Sequence, residues 1–169
     1  MPDEPENATV YLALGANLGD RRRQIAEAAG QLAAAGVTVL ARSPLYETDA
    51  VSDDPQPAYL NAVLRAQTAR APAELLSLCL EIERAFGRVR PAGHAKAART
   101  LDIDLLLYGD RILDTRVLTV PHPAMLARPF VRIPLADVAT PGLRHPITGE
   151  ALDRATPSPA VRRFGLIES

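Results

Sequence analysis

The chain has no tryptophan, one cysteine, and aromatic residues at only 4% of its 169 positions. With Cys79 as the lone thiol, an internal disulfide and a cysteine-based metal centre are both excluded. Leu75, Leu76, Leu78 and Leu80 surround it in a helical pattern, so it reads as a buried, inert thiol. No apolar run approaches the roughly 18 residues of a membrane span. The opening MPDEPEN has neither the basic flank nor the apolar centre of a signal peptide, so a cytoplasmic protein without a membrane partner is expected. Net charge is lacking too. With 19 basic and 20 acidic side chains the formal balance is -1, and no global field draws the protein to nucleic acid or an anionic surface. Any anion site must be local. Lys96 is the one lysine beside 18 arginines. That bias favours forked, planar phosphate contacts, although codon usage accounts for the larger share.

What the chain does have is 47% hydrophobic residues over a length suited to one core, so residues 1–169 are expected to form a single domain and a monomer. Residues 1–7 are polar with two prolines and read as disordered. Thr9 to Leu14 reads as a buried strand ending in Gly15-Ala-Asn17-Leu-Gly19-Asp20, with the glycines as a tight strand-to-helix turn and the Asn17 amide free to enter a site. Asp20 caps a helix with Ile25, Ala28, Ala29 and Leu32 at helical spacing, and Gly36 stops it before a second strand. The segment from Glu47 to Tyr59 is acidic and rich in proline, a long loop before a third strand, LNAVLRAQT. Pro72 opens a second helix through Phe86, with Glu74 near its positive end. After the loop RVRPAGHAKAA comes a fourth strand, LDIDLLLYG. RILDT and VLTVPHP suggest a hairpin, ARPFVRIPLADVA a short helix, and the tail from about Pro141 reads as irregular. Two strand-helix-strand units predict an α+β sandwich with a mainly antiparallel sheet and loops gathered at one edge.

The chemistry concentrates at Asp102-Ile-Asp104. Residues two apart in a strand share a face, so the two carboxylates stand side by side while Leu101, Ile103 and Leu105 point away. Like charges so placed repel, and a hard divalent cation such as magnesium relieves this. An exposed strand edge with alternating charge gives the same pattern. Arg84, Arg88, Arg90 and Arg99 lie just ahead of the pair, and carboxylates, metal and guanidinium forks together suit a polyphosphate. A strip of solvated arginines paired with Glu81, Glu83 and Asp104 is the plainer alternative. The glycine turn lacks the Lys-Ser/Thr of a P-loop and the third glycine of a dinucleotide turn. Ser43 and Ser77 lack partners for a hydrolytic triad, and His94, His122 and His145 are not at metal-ligand spacing.

LGANLGD, YET at Tyr46 to Thr48, PAYLNAV, RVR followed by RTLDIDLLLYG, and LTVPHPAMLARPFV occur in that order. Together, across Val10 to Val138, they resemble the 6-hydroxymethyl-7,8-dihydropterin pyrophosphokinase family. The resemblance implies a ferredoxin-like αβα sandwich, transfer of diphosphate from ATP to the pterin hydroxymethyl group in folate biosynthesis, and two Mg2+ ions held by Asp102 and Asp104. It implies a pterin between the rings of Tyr59 and Phe130, with its polar edge on Asn61 and on Thr48, Asp49 and Val51, and with Asn17 nearby. It also puts Glu83, Arg88, Arg90, Arg99, Thr119, His122 and Arg128 on the ATP side, with Arg88 and Arg99 joining the aspartates in catalysis. Stacking suits a flat, electron-poor ring, and an amide suits an edge that both donates and accepts.

The chain departs from that family's pattern in three places. Ala95-Lys96-Ala97-Ala98-Arg99 replaces a Trp-Gly-Pro-Arg-like run, Asp49 stands where proline or glutamate is common, and Pro123 follows His122 where an aromatic is common. A non-catalytic or slow pterin- or nucleotide-binding paralogue is therefore the alternative reading, and nucleotidyl transfer to another acceptor a third.

Overall fold

The computed structural model of the protein describes residues 7–50, 56–86 and 101–167. In chain order, Ala8–Ala16 forms β1, Arg21–Ala34 α1, Thr38–Arg42 β2, Leu45–Thr48 β3, Tyr59–Thr68 β4, Pro72–Ala85 α2 and Asp102–Tyr108 β5. A small hairpin of β6 (Leu113–Asp114) and β7 (Thr119–Val120) follows, then α3 (Pro129–Val138) and β8 (Arg162–Gly165). The main sheet runs β5, β1, β4, β3, β8, with β2 also paired to β4, and all these pairings are antiparallel. This is the expected ferredoxin-like split βαβ arrangement.

Alternation along the strands separates two cores. Val10, Leu12, Leu14 and Ala16 of β1 face α1 and α2, where they bury Ile25, Ala28, Ala29 and Leu32 together with Leu75, Leu78 and Ile82. Each fully buried leucine or isoleucine contributes about 2 kcal/mol. Cys79 is buried in the same layer, and burial pushes its thiol up to about 12, so it is inert as expected. The opposite face carries Tyr11, Val63, Leu106 and Leu107 against Val131, Leu135 and Val138 of α3.

The helix ends follow local chemistry. Asp20 caps α1 by accepting from the Arg23 N–H (3.2 Å), and Gly36 takes φ +90°, which lets the chain turn into β2. Pro72 opens α2, and the Glu74 carboxylate accepts from the Ala71 N–H (3.2 Å).

β2 and β3 share one edge of β4 end to end, interrupted at Ser43-Pro44. There the Ser43 N–H donates to the Val63 carbonyl (3.0 Å) while the Ser43 hydroxyl accepts from the Val63 N–H (2.9 Å), so a side-chain oxygen carries the ladder across the gap. Ser43 is thus a structural residue.

Three expectations need correction. Glu47 and Thr48 lie in β3 instead of a loop, because β4 supplies them with a partner strand that no local pattern reveals. Gly15 is a strand residue of β1, and only Gly19 (φ +69°) makes the turn. The tail is not wholly irregular: β8 adds an edge strand to β3, and Arg144 bridges to Ala151.

Candidate active site

Gly15 is paired with Asp102 of β5 on one side and with Asn61 of β4 on the other. Two residues further in, Ala13 is paired with Asp104 and Val63. All four polar or small residues of this patch, Gly15, Asn61, Asp102 and Asp104, share the α3 face of the sheet. They line a cavity of about 690 Å³, which Thr48, Asp49, Tyr59, Arg128 and Phe130 also line. That volume is within the range of small-molecule sites.

The floor is open because β1 carries only glycine and alanine there. A Cβ on Gly15 would stand 3.3 Å from the Asn61 side-chain oxygen and 3.9 Å from the Tyr59 ring. Asn61 itself is buried, and its Nδ2 donates to the Thr48 hydroxyl (3.0 Å). Phe130, at the start of α3, is half-buried against the second core and lines the cavity, with the Arg128 guanidinium 5.7 Å from its ring centroid. It therefore serves the core and the cavity together.

Asp102 and Asp104 stand about 7 Å apart along β5, both on the cavity side. Among the described residues no group of three or more His, Cys, Asp and Glu could hold a metal. Two carboxylates facing an open cavity fit a hard ion that keeps water and takes substrate oxygens, and do not fit a closed structural site.

His122 is tied to this strand through its backbone N–H, which donates to the Leu106 carbonyl (2.9 Å). Burial lowers its pKa; nearby Asp104 opposes that, Arg128 adds to it, and Asp102 opposes it further. Its Nδ1 accepts from the Ala124 N–H (3.1 Å), so the neutral ring carries its proton on Nε2 and is a donor there.

Other expected residues lie beyond the residues that line this cavity. The Asn17 side chain is buried and off the cavity wall: its amide donates to the Gln56 side-chain oxygen (3.3 Å) and the Pro57 carbonyl (3.4 Å), holding the chain ahead of Tyr59. Glu83 is buried at the end of α2, where its carboxylate accepts from the Ile103 N–H (3.4 Å) behind the aspartate strand. Thr119 is in β7, its hydroxyl bonded to Asp114 (3.4 Å). Val51, Arg88, Arg90 and Arg99 lie outside the described residues, as do His94 and Lys96. Sequence reasoning missed Ala13 and Gly15 as floor residues, and Ala160 and Val161, which line the cavity from the tail. A glycine inside a strand pattern was the available signal for the first pair. The tail gave none.

An antiparallel sheet with helices on both faces and an aromatic-sided cavity ending at paired carboxylates defines an α+β protein with a small-molecule site on one sheet face. The same fold occurs in the Plasmodium falciparum HPPK-DHPS structure, at TM-score 0.66 and 14% identity over 90% of this chain and 44% of that one. The family model described as 7,8-dihydro-6-hydroxymethylpterin-pyrophosphokinase (HPPK) matches residues 11–140, and the chain belongs to that family. Proteins named 2-amino-4-hydroxy-6-hydroxymethyldihydropteridine pyrophosphokinase from Pseudomonas aeruginosa and Bacillus subtilis are 44% and 41% identical to it. Those alignments cover 81% of this chain and 83% of the first protein, and 78% of this chain and 78% of the second. The folic acid synthesis protein of Schizosaccharomyces pombe is 36% identical over 99% of the chain, which spans 23% of that longer protein. A namesake from Pneumocystis carinii is 40% identical over 85% of the chain, which spans 19% of it. No helix among the described residues is long and apolar enough to cross a membrane.

Proposed function

We propose that this chain transfers diphosphate from ATP to 6-hydroxymethyl-7,8-dihydropterin, releasing AMP, within folate biosynthesis. The observation that carries the reading is the row Asp102, Gly15, Asn61, which sets a carboxylate and an amide on either side of an open, ring-sized floor. Tyr59 and Phe130 flank the pterin ring. Asn61 meets its donor-and-acceptor edge, held in orientation by Thr48.

The reaction is an in-line displacement. The hydroxymethyl oxygen forms a bond to the β-phosphorus of ATP as its proton is lost to solvent, the bond from that phosphorus to the oxygen it shares with the α-phosphorus breaks, and AMP leaves with that oxygen. Asp102 and Asp104 would hold two magnesium ions, which would supply positive charge to offset that of the polyphosphate. The protein's own part is positioning and charge placement. Arg128 is on the cavity wall and offers a fork to phosphate, His122 offers its Nε2 proton, and Arg88, Arg90 and Arg99 add guanidinium charge to the nucleotide side. Thr119 and Glu83 complete that side.

The test is AMP formation from ATP and Mg2+ with and without the pterin, for wild type and an Asp102→Ala, Asp104→Ala double variant. Pterin-dependent AMP that vanishes in the variant is expected. Tight ligand binding without AMP would instead favour a non-catalytic paralogue, the reading that the Ala95 to Ala98 run motivates.

A further inference from the structure

The family match ends at residue 140, but the cavity wall does not, because Ala160 and Val161 line it. After α3 the chain stays on the cavity side of the sheet, where Leu152 is buried in the second core. It finishes on the opposite side, where Ile167 is buried in the core against α1 and α2. Between these anchors it rounds the outer edge of β3, pairing Gly165 with Leu45 and Arg162 with Glu47.

The turn that enters β8 has a defined shape. The Ser158 hydroxyl accepts from the Ala160 N–H (3.3 Å), and the Ser158 carbonyl accepts from the Val161 N–H (3.1 Å). The next residue, Arg162, donates to the Asp49 carboxylate (3.1 Å) and pairs with Glu47 (3.5 Å). Asp49 is itself a cavity residue. Glu47 is also bound by Arg21 of α1 (2.9 Å), whose guanidinium stands 5.5 Å from the Phe164 ring centroid. Ion pairs at or near the surface contribute little singly, but here they join a cavity residue to a strand anchored at both ends.

Strand order decides which end of the site this is. β8 lies four strands from β5, roughly 19 Å across the sheet at the usual spacing. An acceptor that rests on Gly15 and Asn61 with its hydroxymethyl arm toward Asp102 and Asp104 therefore turns its far edge toward β8. We infer that the tail is the distal wall of the acceptor site. Ala160 and Val161 limit the size of substituent that the far edge of the ring can carry, and Arg162 is a positioning residue that acts through Asp49. This rests on the acceptor proposed above.

The experiment titrates 6-hydroxymethyl-7,8-dihydropterin and Mg2+-ATP separately into wild type, Val161→Trp, Val161→Ala and Arg162→Met. A pterin analogue alkylated on its exocyclic amino group is titrated alongside. Val161→Trp is expected to weaken pterin binding tenfold or more while ATP binding stays within twofold. Val161→Ala should bind the alkylated analogue at least fivefold more tightly than wild type, a gain that misfolding cannot produce. Arg162→Met should weaken the pterin about threefold, with ATP unchanged. Wild-type binding of both substrates combined with indifferent Val161 variants would overturn the distal wall. Wild type that binds ATP but not the pterin would overturn the acceptor reading itself.

Discussion

The side-chain amide of Asn61 donates to the hydroxyl of Thr48 across the β3/β4 pairing, 3.0 Å apart. That bond fixes which end of the amide is nitrogen and leaves Oδ1 beside the open floor at Gly15. Thr48→Val keeps the shape of the side chain and removes the acceptor. A lost neutral hydrogen bond at a partly buried site is worth about 1 kcal/mol, so pterin affinity should fall by roughly fivefold to tenfold. Isothermal titration with the pterin alone checks this, and unchanged affinity would mean that Asn61 orients without Thr48.

Gly15 tests the floor. Its Cβ would meet the Asn61 oxygen at 3.3 Å, tighter than ordinary contact, and would stand in the space that the ring should use. Gly15→Ala is expected to reduce pterin binding about tenfold and Gly15→Val further, with only a small change in Tm because the φ at this strand position is not left-handed. A large Tm loss without a binding change would make Gly15 a folding residue.

Removing both charges at β5 should separate activity from stability. In Asp102→Asn, Asp104→Asn the side-chain shapes stay and the charges go, so any rise in Tm that magnesium gives wild type should disappear. AMP formation should fall at least a thousandfold. A clear drop in Tm alongside would show that the aspartates also hold the strand, and would weaken their assignment to a metal.

His145 gives a pH signature remote from the cavity. It is 6% exposed, and its Nδ1 accepts from the N–H groups of Ile147 and Thr148 (3.2 Å each). Burial lowers its pKa from the ordinary 6.5, Glu150 opposes this and Arg132 assists. A base with a lowered folded-state pKa binds fewer protons folded than unfolded. Its contribution is therefore complete above about pH 6.5 and declines as pH falls below that toward the folded-state value. His145→Asn places a non-titrating oxygen near Nδ1. Thermal melts from pH 8 to 5 should show a shallower acid-side loss in the variant, and parallel curves would refute the assignment.

Much of this was legible in the sequence because the signals were periodic or local. The alternation in LDIDLLLYG placed Asp102 and Asp104 on one face, and helical spacing identified Ile25, Ala28, Ala29 and Leu32. Asp20, Pro72 and Gly36 each announced a helix end. What escaped depended on partners distant along the chain. β3 and β8 are short and become strands through β4 and each other, as Tyr46 opposite Asn61 and Arg163 illustrates. The Asn17 amide reaches Gln56 and Pro57, contacts that no local pattern around the glycine turn reveals. Glu83 was singled out by the family resemblance alone, since its local pattern shows one acid among several at the end of a helix and its acceptor role depends on Ile103 of another element.

One residue in β5 has a consequence for comparing this strand with others. Tyr11 is paired with Leu107 and Leu12 with Leu105, so Leu106 is an extra residue that belongs to neither pairing. Before it, odd-numbered residues face α1 and α2. After it, Leu107 faces α3 and Tyr108 the other side. The strand reads out two phases of the same alternation, so one face turns from charged at Asp102 and Asp104 to greasy at Leu106 and Leu107 across the bulge. Deleting a single leucine from the LLL run would therefore leave the residues on either side of the cut on the faces they already hold, and would turn β5 into a regular strand without its bulge.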